Sequence, residues 1–136
     1  MKKSVVITIG IIYALSIMLV TFFGLKHKSF NEIVYVSQVE IIEEKASYLE
    51  NGSKYLVLTD KVDGVYTYQL KWAVYPDNAN NSAVTFIYDT QKSNLSVDEN
   101  GLVKYTSLGY PESIDITVRS TDGTKQSDKI TLIILN

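Results

Sequence analysis

Chemistry needs particular side chains within reach of one another, and this chain offers few. It has one histidine, His27, and no cysteine. The lack of cysteine excludes a thiol nucleophile, a Cys-based zinc site, a disulfide framework and a lipoprotein cysteine. His27 sits between Lys26 and Lys28 at the end of an apolar run. That position suits a headgroup-level residue rather than a base or a metal ligand. Asp60, Asp63, Asp98 and Glu99 carry the oxygens that Ca²⁺ prefers, but no segment has EF-hand spacing or supplies a full ligand shell. Turn and hairpin roles explain all four. Glu40, Glu43 and Glu44 resemble the paired acids of glycoside hydrolysis only in composition. Such pairs must flank a pocket with distinct pKa values, whereas an acidic run before a turn is a solvated edge. A lysine–asparagine crosslink needs a buried lysine; Lys71 lies in the polar phase of its strand and nothing marks Lys104 as inward. No base, nucleophile or metal set meets the criteria for a site. The expectation is therefore a chain without catalytic residues, metal or cofactor, and not an enzyme.

Aromatic residues are the other resource, with one tryptophan and ten tyrosines. They could form a sugar-binding platform. However, Tyr66, Tyr68 and Trp72 share the phase of Leu70 and Val74, which places them in a core. Tyr75, Tyr105 and Tyr110 are the expected surface tyrosines. Asn51, Asn80 and Asn94 each begin a glycosylation acceptor pattern, which matters only in a cell with that machinery.

Charge narrows the partners. The net charge is -2, and Lys2, Lys3, Lys26 and Lys28 flank the first apolar run. All fifteen acids and the other nine of the thirteen basic residues follow Ser29, leaving that part at about -6. Nucleic acid, whose phosphates need a basic surface, is not an expected partner. The basic flanks suit anionic lipid headgroups instead.

The elements that would position these residues divide into two. Ser4 to Leu25 contains no charge and no proline. Val5 to Leu25 makes roughly 32 Å of helix, enough for a hydrocarbon core of about 30 Å. A cleaved signal peptide is the competing reading, but it would have a shorter apolar core and a small-residue cleavage site. Phe22-Phe23-Gly24-Leu25 offers no such site. Residues 1–28 are thus expected to be a retained transmembrane anchor. Lys2 and Lys3 favour an inside N-terminus, while Lys26 and Lys28 pull the other way. A β-domain without thiols fits an extracytoplasmic site. Gly10 and Ala14 have the small-xxx-small spacing that packs helices in pairs, a spacing also common by chance.

Residues 29–136 are expected to form one all-β domain. Ser29 to Glu32 is a short polar connection. Along Val65 to Tyr75, Tyr66, Tyr68, Leu70, Trp72 and Val74 alternate with Thr67, Gln69 and Lys71, as in a half-buried strand. Val84, Phe86 and Tyr88 repeat the pattern, as do Ile114, Ile116 and Val118. Ile130 to Leu135 reads as a strand buried on both sides. Leu70, Trp72, Val74, Phe86, Ile116 and Val118 are the expected core. Asp63-Gly64, Pro76-Asp77-Asn78, Asn100-Gly101, Tyr110-Pro111 and Asp122-Gly123 mark the turns. Outside the anchor, helix is plausible only over Glu43 to Glu50. Short strands at this spacing point to a β-sandwich.

An ordered set of residues carries a resemblance. Leu70-x-Trp72-x-Val74-x-Pro76-x-x-Ala79, Val84-x-Phe86, Leu95-x-Val97-Asp98-x-x-Gly101-Leu102-Val103, Ile116-x-Val118 and Asp122-Gly123 resemble the group 2 bacterial immunoglobulin-like domain. That module repeats in intimin- and invasin-like surface proteins. The resemblance covers roughly Val34 to Leu135. This sequence has Phe86 where the family commonly has Trp, Tyr88-Asp89 where it has a serine-rich step, and a single copy. The resemblance implies an immunoglobulin-like sandwich at a cell surface and names no ligand.

The expected function is a membrane-anchored cell-surface interaction or adhesion module, binding an unknown surface protein or polysaccharide. The alternative is an accessory subunit of a larger membrane or cell-envelope complex. The expected topology is single-pass, N-terminus inside and domain outside. Strand alternation then puts Pro76 to Ser82 and Thr121 to Lys125 on the membrane side. Asp60 to Gly64, Asp89 to Asn94 and Ser107 to Ser113 fall on the outer side. The expected interaction residues are Tyr110, Asp60, Lys61, Asp89 and Lys92.

Overall fold

The computed structural model describes residues 2–26 and 32–135. His27 and most of the polar connection lie outside them. The chain forms two units, Met1–Ile33 and Val34–Asn136.

The first unit holds one helix, α1 (Lys3–Lys26), which is long and apolar enough to cross a membrane. Three of its hydroxyl side chains close on the helix itself. The hydroxyls of Thr8, Ser16 and Thr21 donate to the carbonyls of Ser4, Ile12 and Ile17 at 2.9, 2.8 and 2.7 Å. Each hydroxyl thus meets its hydrogen-bonding demand without water, as a lipid environment requires.

The second unit is built of strands in open sheets, arranged in a β-sandwich-like fold. In chain order they are β1 (Gln38–Ile41), β2 (Ser47–Tyr48), β3 (Lys54–Leu58), β4 (Lys61–Val62), β5 (Val65–Gln69) and β6 (Trp72–Tyr75). Then come β7 (Val84–Ile87), β8 (Leu95–Val97), β9 (Leu102–Thr106), β10 (Glu112–Ser120) and β11 (Ser127–Ile134). One sheet has the order β2-β3-β11-β10-β7, with β3 parallel to β11. A second has the order β4-β5-β9-β8, and a third pairs β1 with β6. The core between them includes Val36, Val39, Ile41, Tyr66, Leu70 and Tyr105, facing Ile116, Val118, Ile130 and Leu132.

Period-two alternation holds along β10, where Ile114, Ile116 and Val118 are buried and Ser113 and Asp115 exposed. Three expectations change. The run Val65 to Tyr75 is two strands, because its pairing partner switches at Leu70 and Lys71. Leu70 N–H still donates to Gly101 C=O on the β9 side at 2.9 Å, while Lys71 C=O accepts Ile42 N–H on the β1 side at 2.9 Å. The end of the chain is buried on one face, not two: Ile130, Leu132 and Ile134 point inward, whereas Leu135 is exposed. Glu43 to Glu50 forms no helix. Ala46 N–H closes a single turn onto Glu43 C=O at 3.2 Å, and the chain then pairs as β2.

Two turns show why their glycines are needed. Asp63 and Gly64 both have positive φ, 51° and 80°, the left-handed pair a two-residue hairpin demands. Gly101 has φ 79°, and a Cβ there would lie 2.8 Å from the Trp72 ring and 3.1 Å from Leu70 Cβ.

Candidate functional site

Strand β10 runs from Glu112 to Ser120, about 27 Å at strand rise, and so connects the two ends of the sandwich. At the Ser120 end the domain begins. Asn80 Oδ1 accepts Val34 N–H at 2.6 Å, and Asn80 N–H donates to Val34 C=O at 2.9 Å. Asp122 Oδ2 accepts Val36 N–H at 2.6 Å. The Thr124 hydroxyl and the Val36 amide hold the Asp122 carboxyl at about 2, below its ordinary 3.8. The loops around Pro76 to Ser82 and Thr121 to Lys125 therefore flank the start of the domain.

At the Glu112 end the domain finishes. Tyr66 Oη donates to Leu135 C=O at 3.3 Å. Ser107 N–H donates to Gly64 C=O at 2.9 Å, and Thr106 N–H donates to Asn94 C=O at 2.9 Å. The hairpin turn after β4, the 89–94 loop and the 107–111 segment thus share one end, opposite the start.

Within that end, one of the expected residues, Lys92, pairs with a carboxylate, and two others, Asp89 and Tyr110, act on Lys92. Lys92 Nζ pairs with Glu112 Oε1, and Tyr105 Oη donates to Glu112 Oε2. The Lys92 and Tyr105 hydrogen bonds lower the Glu112 pKa, and the Glu112 bond raises that of Lys92. Burial first, then Glu112, pushes Tyr105 up to about 12. Asp89 closes the turn: its Oδ1 accepts Gln91 N–H at 3.0 Å and its C=O accepts Lys92 N–H at 3.3 Å. Asp89 and Tyr110 both act electrostatically on Lys92, and Tyr110 is 53% exposed.

Asp60 and Lys61 make contacts of their own. Lys61 Nζ stands 5.7 Å from the Tyr66 ring centre. Asp60 lines a lateral groove of about 450 Å³ with Ile42, Glu43, Leu58, Tyr68 and Lys71. Glu43 accepts the Tyr68 hydroxyl there at 2.8 Å. Of the expected core, Leu70, Ile116 and Val118 are buried. Trp72, Val74 and Phe86 are half-buried against it, with the Trp72 and Phe86 rings edge to face at 5.2 Å.

Tyr105 corrects the surface expectation: it is fully buried. Strand β9 turns Val103 and Tyr105 inward and Lys104 outward, an alternation visible in Leu102 to Thr106 itself. Asn80 and Asn94 are also spoken for, since their side chains bond the backbone of Val34 and Thr106. Sequence reading missed Glu112, the hub of the cluster, and the pair of Lys54 with Asp128. Asp98 serves its turn, accepting the N–H groups of Asn100 and Leu102 at 2.9 Å each. Among the described residues, no group of three or more His, Cys, Asp and Glu side chains could hold a metal ion. No protein-family model matches the chain, and no curated protein matches it.

Proposed function

We propose that this chain is a non-enzymatic interaction module of the cell surface, an immunoglobulin-like domain of the group 2 bacterial type held by its own membrane helix. What supports the fold part is strand order. With β5 and β6 read as one bent strand, and the two-residue edge strands β2 and β4 set aside, the sheets run β1-β6/β5-β9-β8 and β3-β11-β10-β7. That is the order of an immunoglobulin sandwich whose edge strand lies parallel to the last one. The observation that carries the functional part is the separation of the two ends. The start of the domain is clamped by Asn80 and Asp122, and the exposed Tyr110 lies at the other end beside the Asp89–Lys92 turn. With the helix spanning the bilayer and the N-terminus inside, the β-domain lies outside the cell, where a surface protein or polysaccharide would meet Tyr110. An exposed tyrosine on a well-braced loop is a common anchor of binding energy.

A photoreactive amino acid at Tyr110, and separately at Asp77 at the other end, tests this in intact cells carrying the full chain. The module reading expects crosslinks to a cell-surface component from position 110 and none from 77. Crosslinks from 77 to an integral-membrane protein would transfer the chain to the accessory-subunit class. No crosslink from either position would overturn both.

A further inference from the structure

The five-stranded sheet ends on β7, and the phase of its ladder decides what that edge offers. Thr121 N–H donates to Ala83 C=O at 3.1 Å, in line with the register that pairs Ser120 with Val84 and Val118 with Phe86. Antiparallel ladders alternate bonded and non-bonded pairs. Ala83, Thr85 and Ile87 therefore turn their backbone groups toward β10, and Val84, Phe86 and Tyr88 turn theirs off the sheet. Among the described residues, nothing accepts or donates to these outward groups.

Natural edges are blunted by charge, proline, bulges or brevity. Four other edge strands follow that rule. β2 and β4 have two residues each, and β4 opens with Lys61. β8 has three residues, and β1 contains Glu40. β7 has four residues and carries no charge, proline or glycine. Ala83 to Tyr88 reads AVTFIY, β-branched and aromatic, without charge, proline or glycine. Ile87 stands 40% exposed on its solvent face.

We propose that β7 is a self-association edge, on which a second copy of this chain pairs its own β7 antiparallel about a two-fold axis at Phe86. The strand is complementary to itself in that register. Phe86 meets Phe86 of the second copy, and Val84 meets its Tyr88. All three outward residues on each side are used, giving about six inter-chain hydrogen bonds. Exposed Thr85 then faces exposed Ile87 of the second copy, and the half-buried Val84, Phe86 and Tyr88 stay on the inner face. Asp89 faces Ala83, so no like charges meet. The contact is isologous and closes on itself, which limits it to a dimer.

The absence of cysteine makes the test direct. Full chains carrying Thr85→Cys and Ile87→Cys, differently tagged, are mixed in detergent and mildly oxidised. Thr85 and Ile87 form a non-hydrogen-bonded pair in this register, with Cα atoms about 4.5 Å apart and within disulfide reach. The expected result is a mixed disulfide dimer in excess of either homodimer and of a Val62→Cys control on β4. No mixed dimer, or equal crosslinking by the control, overturns the proposal. Ile87→Lys, on the solvent face, supplies the second measurement by sedimentation. The expected result is a shift from dimer to monomer with unchanged melting. A dimer that survives this substitution places the contact elsewhere and also overturns the proposal.

Discussion

Gly101 shows how one residue can be fixed twice over. Its φ of 79° is a conformation that L side chains rarely adopt, and the Trp72 ring fills the place of a Cβ. Gly101→Ala should destabilise the full chain's β-domain by about 1–3 kcal/mol, read from denaturant midpoints. Trp72→Ala should cost about 3 kcal/mol, the low end for a large aromatic, because its ring is half-buried. Lys71→Ala next to it, exposed, should stay within about 0.5 kcal/mol. Equal effects of the two would contradict the phase of the strand. Asp122 sets a pH dependence. Its carboxyl is held at about 2 when folded against 3.8 ordinarily, so its stabilisation is complete above pH 4 and disappears as pH falls toward 2. Asp122→Ala should flatten the acid limb of an unfolding curve between those values. At this scale the sequence was half legible. The turn glycines could be read because positive φ restricts residue choice. Tyr105 could not be placed from residue type alone, since tyrosine suits both core and surface, and only the alternation of Leu102 to Thr106 puts it inside.

Among the elements, the bend between β5 and β6 was invisible in the sequence for a physical reason. Trp72 and Val74 keep the inward phase of Tyr66, Tyr68 and Leu70, so period two runs on while the hydrogen-bonding partner changes from β9 to β1. Alternation reports faces and says nothing of neighbours. The strap between β1, β3 and β11 was hidden by chain separation. Lys54 pairs with Asp128, and Asp128 also accepts Ile41 N–H at 2.8 Å, while Lys54 donates to Ile41 C=O at 3.1 Å. Both side chains are largely covered, so breaking the pair leaves a lysine without its counter-charge. Asp128→Ala should cost about 2 kcal/mol, discounted from a fully buried pair for its remaining exposure. Asp115→Ala, on an exposed pair with Lys129, should cost under about 1 kcal/mol in the same denaturation series. A reversed order would show that the strap contributes little.

For the whole molecule, helix length and hydropathy were the plainest signals, because a membrane span needs only about twenty apolar residues in a row. The competition between anchor and cleaved leader is settled by mass. Intact-mass measurement of the protein purified from membranes should give the full 15.3 kDa chain. Loss of the first ~25 residues would mean that the helix is a leader. The candidate site was legible only as a set of loops at one end. Its organising group, Glu112, draws Lys92 and Tyr105 together across separate elements, and spacing along the chain carries no trace of that.

The parallel pairing of β3 with β11 has a mechanical consequence. Val34 and Leu135 leave the sandwich at opposite ends, and β1 is the first strand after Val34. A load applied between those two residues pulls β1 lengthwise against β6, and then β3 lengthwise against β11. Neither pair can be peeled open one rung at a time. In such a shear arrangement the rungs share the force and give way together.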